Sequence, residues 1–261
     1  MRGVVVGAVF SLLAAVLQIG VGGIIPPPPP GEVARNALPV APVTPPPVAG
    51  IAEPCLAKHP FPDGKTLPQV HAQMQRVFGL QLTGDGWTNP RFRPLVKIVW
   101  QSLDGINCTP FMAQIKAKND GKLRLHAGPT RSWAWGDYGL TRPGAVTLDF
   151  AKMITAHQQG DDGRITRLLI HELTHVLHKD RNAAPAYWKS FQKLHRAEGR
   201  FSDYGYGSSE VMAEVVGYYV ARCAKDNPYD SADQDAYYAW AKKWVFNDVE
   251  FGPAPGTKPS C

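Results

Sequence analysis

Apolar residues recur along this chain with two different periods. Between residues 95 and 150 three short stretches alternate in twos, the spacing of a half-buried strand. In residues 95–100, Val96, Ile98 and Trp100 alternate against Lys97. Residues 122–126 alternate in the same way. Residues 145–150 follow the turn signal Arg142-Pro143-Gly144. Beyond residue 160 the period becomes three and four, that of a helix with one buried face. Ile165, Leu168, Leu169, Glu172, Val176 and Leu177 mark a helix over 163–178. Tyr187, Phe191 and Leu194 mark another over 186–197, with Gly199 as its stop. Residues 209–224 and 235–246 predict two more, and 71–78 a short early one. No internal repeat is found. Strands first and helices later predict an α+β fold.

The front of the chain follows neither period. After Arg2, residues 3–25 carry no charge, a length that spans a bilayer and exceeds a usual signal-peptide core. Residues 1–25 therefore read as a signal peptide or an uncleaved N-terminal membrane anchor. With Arg2 held inside, either reading puts the rest outside the cytoplasm, secreted or in the cell envelope. Residues 26–54 hold 11 of the 24 prolines, five of them consecutive from Pro26 to Pro30. Such a run favours extended polyproline II, so 26–54 reads as a linker able to reach about 90 Å. The remaining 55–261 suit one domain.

Charge and cysteines narrow the class. The net charge is +6, and residues 1–50 contribute +1 of it (Arg2 and Arg35 against Glu32). The rest is diffuse, with no Lys/Arg run and no aromatic–basic interleaving, which argues against a nucleic-acid partner. The four cysteines, Cys55, Cys108, Cys223 and Cys261, contain no C-x-x-C pair. An even count in an exported chain predicts two disulfides. Three pairings are open. Cys223–Cys261 with Cys55–Cys108 is preferred, because the first would pin the C-terminal tail onto a helix.

Candidate chemistry sits inside the 163–178 helix, as His171-Glu172-Leu173-Thr174-His175. On a helix, positions i and i+4 share one face, so two imidazoles at that spacing can converge on one ion. Glu172 stays close without joining the ligand row, placed to deprotonate a metal-bound water. A catalytic zinc wants a third protein ligand and one open position. A histidine six residues on is ruled out, since Arg181 stands there. Asp180 is nine residues past His171 and points away. Glu198, Glu210 and Glu214 remain. Glu198 ends its helix just before Gly199. Glu210 and Glu214 stand four apart on an otherwise apolar helix (Val211, Met212, Val215, Val216, Tyr219). Two carboxylates there are costly unless partnered. Glu210, nearer the helix start, is the preferred ligand, and Glu214 the carboxylate that accepts an N–H from a ligand histidine.

These residues carry a resemblance. His171–His175, then Tyr204-Gly205, then Glu210-Val211-Met212-Ala213-Glu214 resemble the lethal-factor-like metalloproteases, which include the anthrax lethal factor catalytic domain and the secreted Pro-Pro endopeptidases. The likeness covers about 45 residues, 171 to 215. It implies a gluzincin, zincin-like fold, with a small twisted sheet packed on the active-site helix and a helical C-terminal half. It also implies Glu210 as zinc ligand and Tyr204 as the oxyanion donor. There are departures: Tyr204 lies six residues before Glu210 rather than seven, and Val211-Met212 replaces an aromatic pair, so Tyr206 stays open as the alternative donor.

The expected protein is thus a monomeric, extracytoplasmic zinc endopeptidase acting on a peptide or protein substrate. One Zn2+ would be held by His171, His175 and Glu210. Glu172 would act as general base, and the substrate would lie along the 145–150 strand as a sheet edge. Competing readings are an inactive zincin-fold peptide-binding module and a zinc amidase acting on cell-wall peptide. Trp133-Ala134-Trp135-Gly136 reads as cleft lining or as packed loop anchors. His178 reads as a helix-end residue. His59, His71, His126, His157 and His195 have no partner at ligand spacing.

Overall fold

The structure, a computed structural model, describes residues 50–53, 55 and 59–261. The expected signal or anchor at 1–25 and most of the 26–54 linker lie outside the described residues. Packing is already in place at the end of that linker. Ile51 is buried, and the Gly50 carbonyl accepts a hydrogen bond from Cys223 N at 3.0 Å. No helix among the described residues is long and apolar enough to cross a membrane.

The architecture is α+β, with a four-stranded mixed sheet and eight α-helices among the described residues. In chain order these are α1 (Leu67–Phe78), β1 (Leu80–Thr83), α2 (Arg93–Gly105), α3 (Phe111–Ala117), β2 (Leu123–Ala127), β3 (Gly136–Tyr138), β4 (Val146–Leu148), α4 (Phe150–Gln158), α5 (Asp162–Leu177), α6 (Ala186–Glu198), α7 (Ser208–Val220) and α8 (Asp235–Trp244). The sheet order is β1-β2-β4-β3. β1, β2 and β4 run parallel, with Leu82 opposite Leu125 and Leu125 opposite Val146. β3 closes the row antiparallel to β4, with Gly136 opposite Leu148.

Two expectations are corrected. Residues 95–100 are helical, inside α2, and not a strand. Leu95, Val96, Val99 and Leu103 are all buried, a three-and-four recurrence that continues beyond the six residues in which alternation was read. A window that short matches both periods. Pro94 suits the helix's first turn, and Ser102 Oγ meets Thr166 Oγ1 at 2.9 Å across the α2–α5 contact. The second correction concerns the 145–150 strand. It is confined to β4 and lies inside the sheet, between β2 and β3. The strand beside the site is β3, at the edge, where Gly-Asp-Tyr is too short to show any alternation. Asp149 ends β4 because its side chain accepts from Lys152 N at 3.3 Å and so caps α4.

The helical half matches its periodicity closely. Asp161 caps α5 by accepting from Arg164 N. α5 lies between the sheet and α7, its main packing partner. Gly217 permits that approach: a Cβ there would stand 3.0 Å from the Arg167 carbonyl. Behind α7 an aromatic core forms around Tyr219, Tyr229, Tyr237, Phe246 and Phe251, all buried. Both preferred disulfides are present. Cys55–Cys108 ties the start of the domain to the turn after α2, and Cys223–Cys261 ties the tail to the end of α7.

Candidate metal centre

The i, i+4 spacing on α5 brings the two imidazoles together, His171 Nε2 lying 3.2 Å from His175 Nε2. Glu210, in the first turn of α7, reaches the same point. Its Oε2 is 3.4 Å from His171 Nε2 and its Oε1 3.6 Å from His175 Nε2. Among the described residues these three form the group able to hold a metal ion. Their spacing tests the fit. Three ligand atoms each about 2.0–2.1 Å from a tetrahedral ion stand about 3.4 Å from one another. The nitrogens stand 3.2 Å apart, with one Glu210 oxygen 3.4 Å from His171 and the other 3.6 Å from His175, distances of that order. His171 is 3% exposed, while the Glu210 side chain is 39% exposed, so the fourth side opens toward solvent.

Each imidazole is aimed by its other nitrogen. His171 Nδ1 donates to Glu214 Oε1 at 2.8 Å, which leaves the Nε2 lone pair for a metal. Glu214 is buried and fully engaged, since it also accepts from Arg167 Nη1 at 2.5 Å and from Ser202 Oγ at 3.1 Å. The two carboxylates of α7 therefore divide, Glu210 turned toward the Nε2 atoms of both histidines and Glu214 toward Nδ1 of His171. The second imidazole is held differently. His175 Nδ1 lies 3.1 Å from His178 Nε2, and Ser209 Oγ approaches that same Nε2 at 3.1 Å. His178 is thus a packed partner of the site, one helical turn past His175.

Electrostatics follow from this crowding. Burial pulls the His171 imidazole down, but hydrogen bonds to Glu210 and Glu214 outweigh it and hold the group up at about 9. Hydrogen bonds from His171 and His175 hold Glu210 far below the ordinary carboxylate range. Burial opposes a charge on Glu214, yet His171 and Arg167 keep it below that range as well. Burial pushes Glu172 up, against the pull of His171 and His175. Burial, with His175 and Arg181 nearby, pulls His178 down to about 3. One carboxyl held acidic, Glu210, and one made less so, Glu172, thus share one pocket.

Glu172 points toward the sheet edge. A Cβ on Gly136 would come within 2.9 Å of Glu172 Cγ, so glycine is what allows β3 to lie against this carboxylate. A cavity of about 140 Å³ opens beside it, lined by Trp133, Trp135, Leu168, Glu172 and Tyr204. The Trp-Ala-Trp-Gly stretch therefore is cleft lining. The Tyr204 ring centroid lies 5.7 Å from that of His171 and 6.3 Å from that of Trp133. Tyr206 is 76% exposed, with the Arg200 guanidinium 4.5 Å above its ring. Of the two tyrosines, Tyr204 is the one at the site. Glu198 is exposed at the end of α6 and stands outside the group, and Asp180 is taken by Lys118 and Tyr187 at 2.6 Å each. Arg167 went unnoticed in the sequence, although its place four residues before His171 puts it on the ligand face of α5.

No protein-family model, curated protein or solved structure matches the chain. The site's chemistry therefore rests on its own geometry.

Proposed function

We propose that the protein is a zinc-dependent endopeptidase of zincin-like fold, working outside the cytoplasm. The observation that carries this reading is the triangle of His171 Nε2, His175 Nε2 and the Glu210 carboxylate at 3.2–3.6 Å, with the Glu172 carboxyl buried beside it in an open cleft. The two-nitrogen, one-oxygen donor set suits Zn2+. Two disulfides and the apolar start of the chain support an oxidising, extracytoplasmic setting. The sheet edge lying on the metal-face helix, with the third ligand on a later helix, supports the zincin-like reading.

Bound zinc would supply Lewis acidity and lower the pKa of a water to about 7. The chain supplies the rest. Glu172 accepts a proton from the attacking water and returns it to the leaving amine; burial raises its pKa, which suits both halves of that task. The Tyr204 hydroxyl, on the open side, donates a hydrogen bond to the carbonyl oxygen as negative charge builds there. Glu214 and His178 hold the two imidazoles in the tautomer that leaves Nε2 free. The free edge of β3 offers backbone groups along which an extended peptide can be laid.

Metal analysis of the purified protein is the direct test. One zinc per chain is expected in the wild type, with loss of zinc in Glu210→Ala and retention in Glu198→Ala. Wild-type protein that retains no zinc after zinc loading would end the proposal. A zinc-loaded Glu172→Gln protein that still cleaves at the wild-type rate would end the general-base role.

A further inference from the structure

Residues three, four, seven and eleven apart share a helix face. On α5 that rule sets Arg164, Arg167, Leu168, His171 and His175 in one stripe, with two arginines continuing the ligand row toward the helix start. Both line the 140 Å³ cavity that holds Glu172. Both also line a second hollow of about 650 Å³, bordered by Arg200, Tyr204 and Glu214 as well. With Arg164, Arg167, Tyr204 and Glu214 common to both, the hollows make one groove leading away from the site.

The three arginines of this groove are not equivalent. Arg167 is spent on Glu214, at 2.5 Å. Arg200 donates to the carbonyls of Ser202 and Asp203 and stands near the Asp203 carboxylate at 4.0 Å. Arg164 has no carboxylate at ion-pair distance among the described residues. Its guanidinium lies 4.3 Å from the centroid of the Trp135 ring. That stack fixes the position of the fork while its N–H donors stay available. An arginine held this way presents two parallel donors suited to a carboxylate.

We propose that Arg164 is a specificity residue that binds a carboxylate of the peptide substrate, with Trp135 and Leu168 packing the intervening carbons. This rests on the endopeptidase reading and names its substrate class: peptides carrying a carboxylate within about three residues of the cleaved bond. The distance follows from the helix. Arg164 is seven residues before His171, about 10 Å along the axis, and an extended peptide advances about 3.3 Å per residue. The cavity is of a size to take one side chain, since a void of about 150 Å³ holds a benzene ring. Two sources share this chemistry, an acidic side chain and the C-terminal carboxylate of a short peptide.

The test scans Glu, Gln and Lys through three positions on each side of a bond that the zinc-loaded enzyme cuts, with free-acid and amidated C-termini as separate arms. A preference for Glu over Gln of about tenfold in kcat/KM, carried by KM, is expected at one position or in the free-acid arm alone. Arg164→Gln should flatten that preference, and Arg164→Glu should turn it toward Lys. The same peptides, fluorescently labelled, are bound to zinc-loaded Glu172→Gln protein and read by anisotropy. Carboxylate-selective binding that depends on Arg164, with no cleavage by wild type, would keep this proposal and sink the endopeptidase. Equal handling of Glu, Gln and Lys, or a Glu preference that survives Arg164→Glu, overturns the role of Arg164. If neither protein takes any peptide, both readings fall.

Discussion

The two faces of α7 solve opposite problems. Toward α5 the helix offers the half-buried Glu210 and the buried Glu214, and each charge there is met by an imidazole or a guanidinium. Toward α8 it offers Tyr219, whose ring stacks on Phe246 at 5.1 Å and packs against Phe251. The first face contributes little net stability, because desolvating charges offsets most of what pairing them returns. The second stabilises chiefly by buried area, with the Tyr219 hydroxyl donating to the Val249 carbonyl at 2.7 Å, and needs no charged partner. Chemistry and stability are therefore carried by separate residues of one helix, a division that mutation can separate.

The largest effect belongs to the site that the polar face meets on α5. Glu172→Gln should lower kcat by about 10²- to 10⁴-fold with zinc content unchanged, measured as initial rates on a peptide that wild type cuts. In the core that packs on the apolar face, Phe246→Ala should cost about 3–5 kcal/mol in urea unfolding, with one zinc per chain still bound in the folded protein. If both changes disturbed zinc content and stability together, the division would be wrong. Removing the Cys223–Cys261 bridge with paired serines should cost about 2–4 kcal/mol and is checked the same way. Glu214→Gln and His178→Asn should each weaken zinc binding about 10- to 100-fold in chelator competition, while changing stability less than Phe246→Ala does.

The smallest effect lies outside both faces. Lys118 binds Asp180 at 2.6 Å and so anchors the turn after α5. Burial opposes a charge on Asp180, but hydrogen bonds from Lys118 and Tyr187 hold it below the ordinary carboxylate range. A depressed carboxyl stabilises above its unfolded pKa, and that contribution disappears as pH falls through the folded value. Lys118→Met should therefore cost under about 1 kcal/mol at neutral pH, and the gap from wild type should close below about pH 4, followed by thermal melts across pH.

How much was legible depended on length. α5, α6, α7 and α8 each persist for ten residues or more, long enough for the helical period to show. β3 and β4 are three residues each, and β3 contains no alternation to read. α2 was mistaken because six of its residues satisfy either period. Asp180 could be set aside from helix geometry alone, and it is found bonded elsewhere. Arg164 and Arg167 share the ligand face by simple spacing, but nothing in their identity marks them until the groove is visible.

From the residues alone came the pairing of two imidazoles and a carboxyl on one helix and the helical second half. These depend on local spacing, which a linear chain already contains. Glu210 over Glu214, Tyr204 over Tyr206 and the two cysteine pairs were preferences of the sequence that packing narrowed to one, whereas β3 as the edge strand came only from packing. Each depends on how far one element is rotated or slid against another, and contacts as close as Gly217 on Arg167 and Gly136 on Glu172 set those positions.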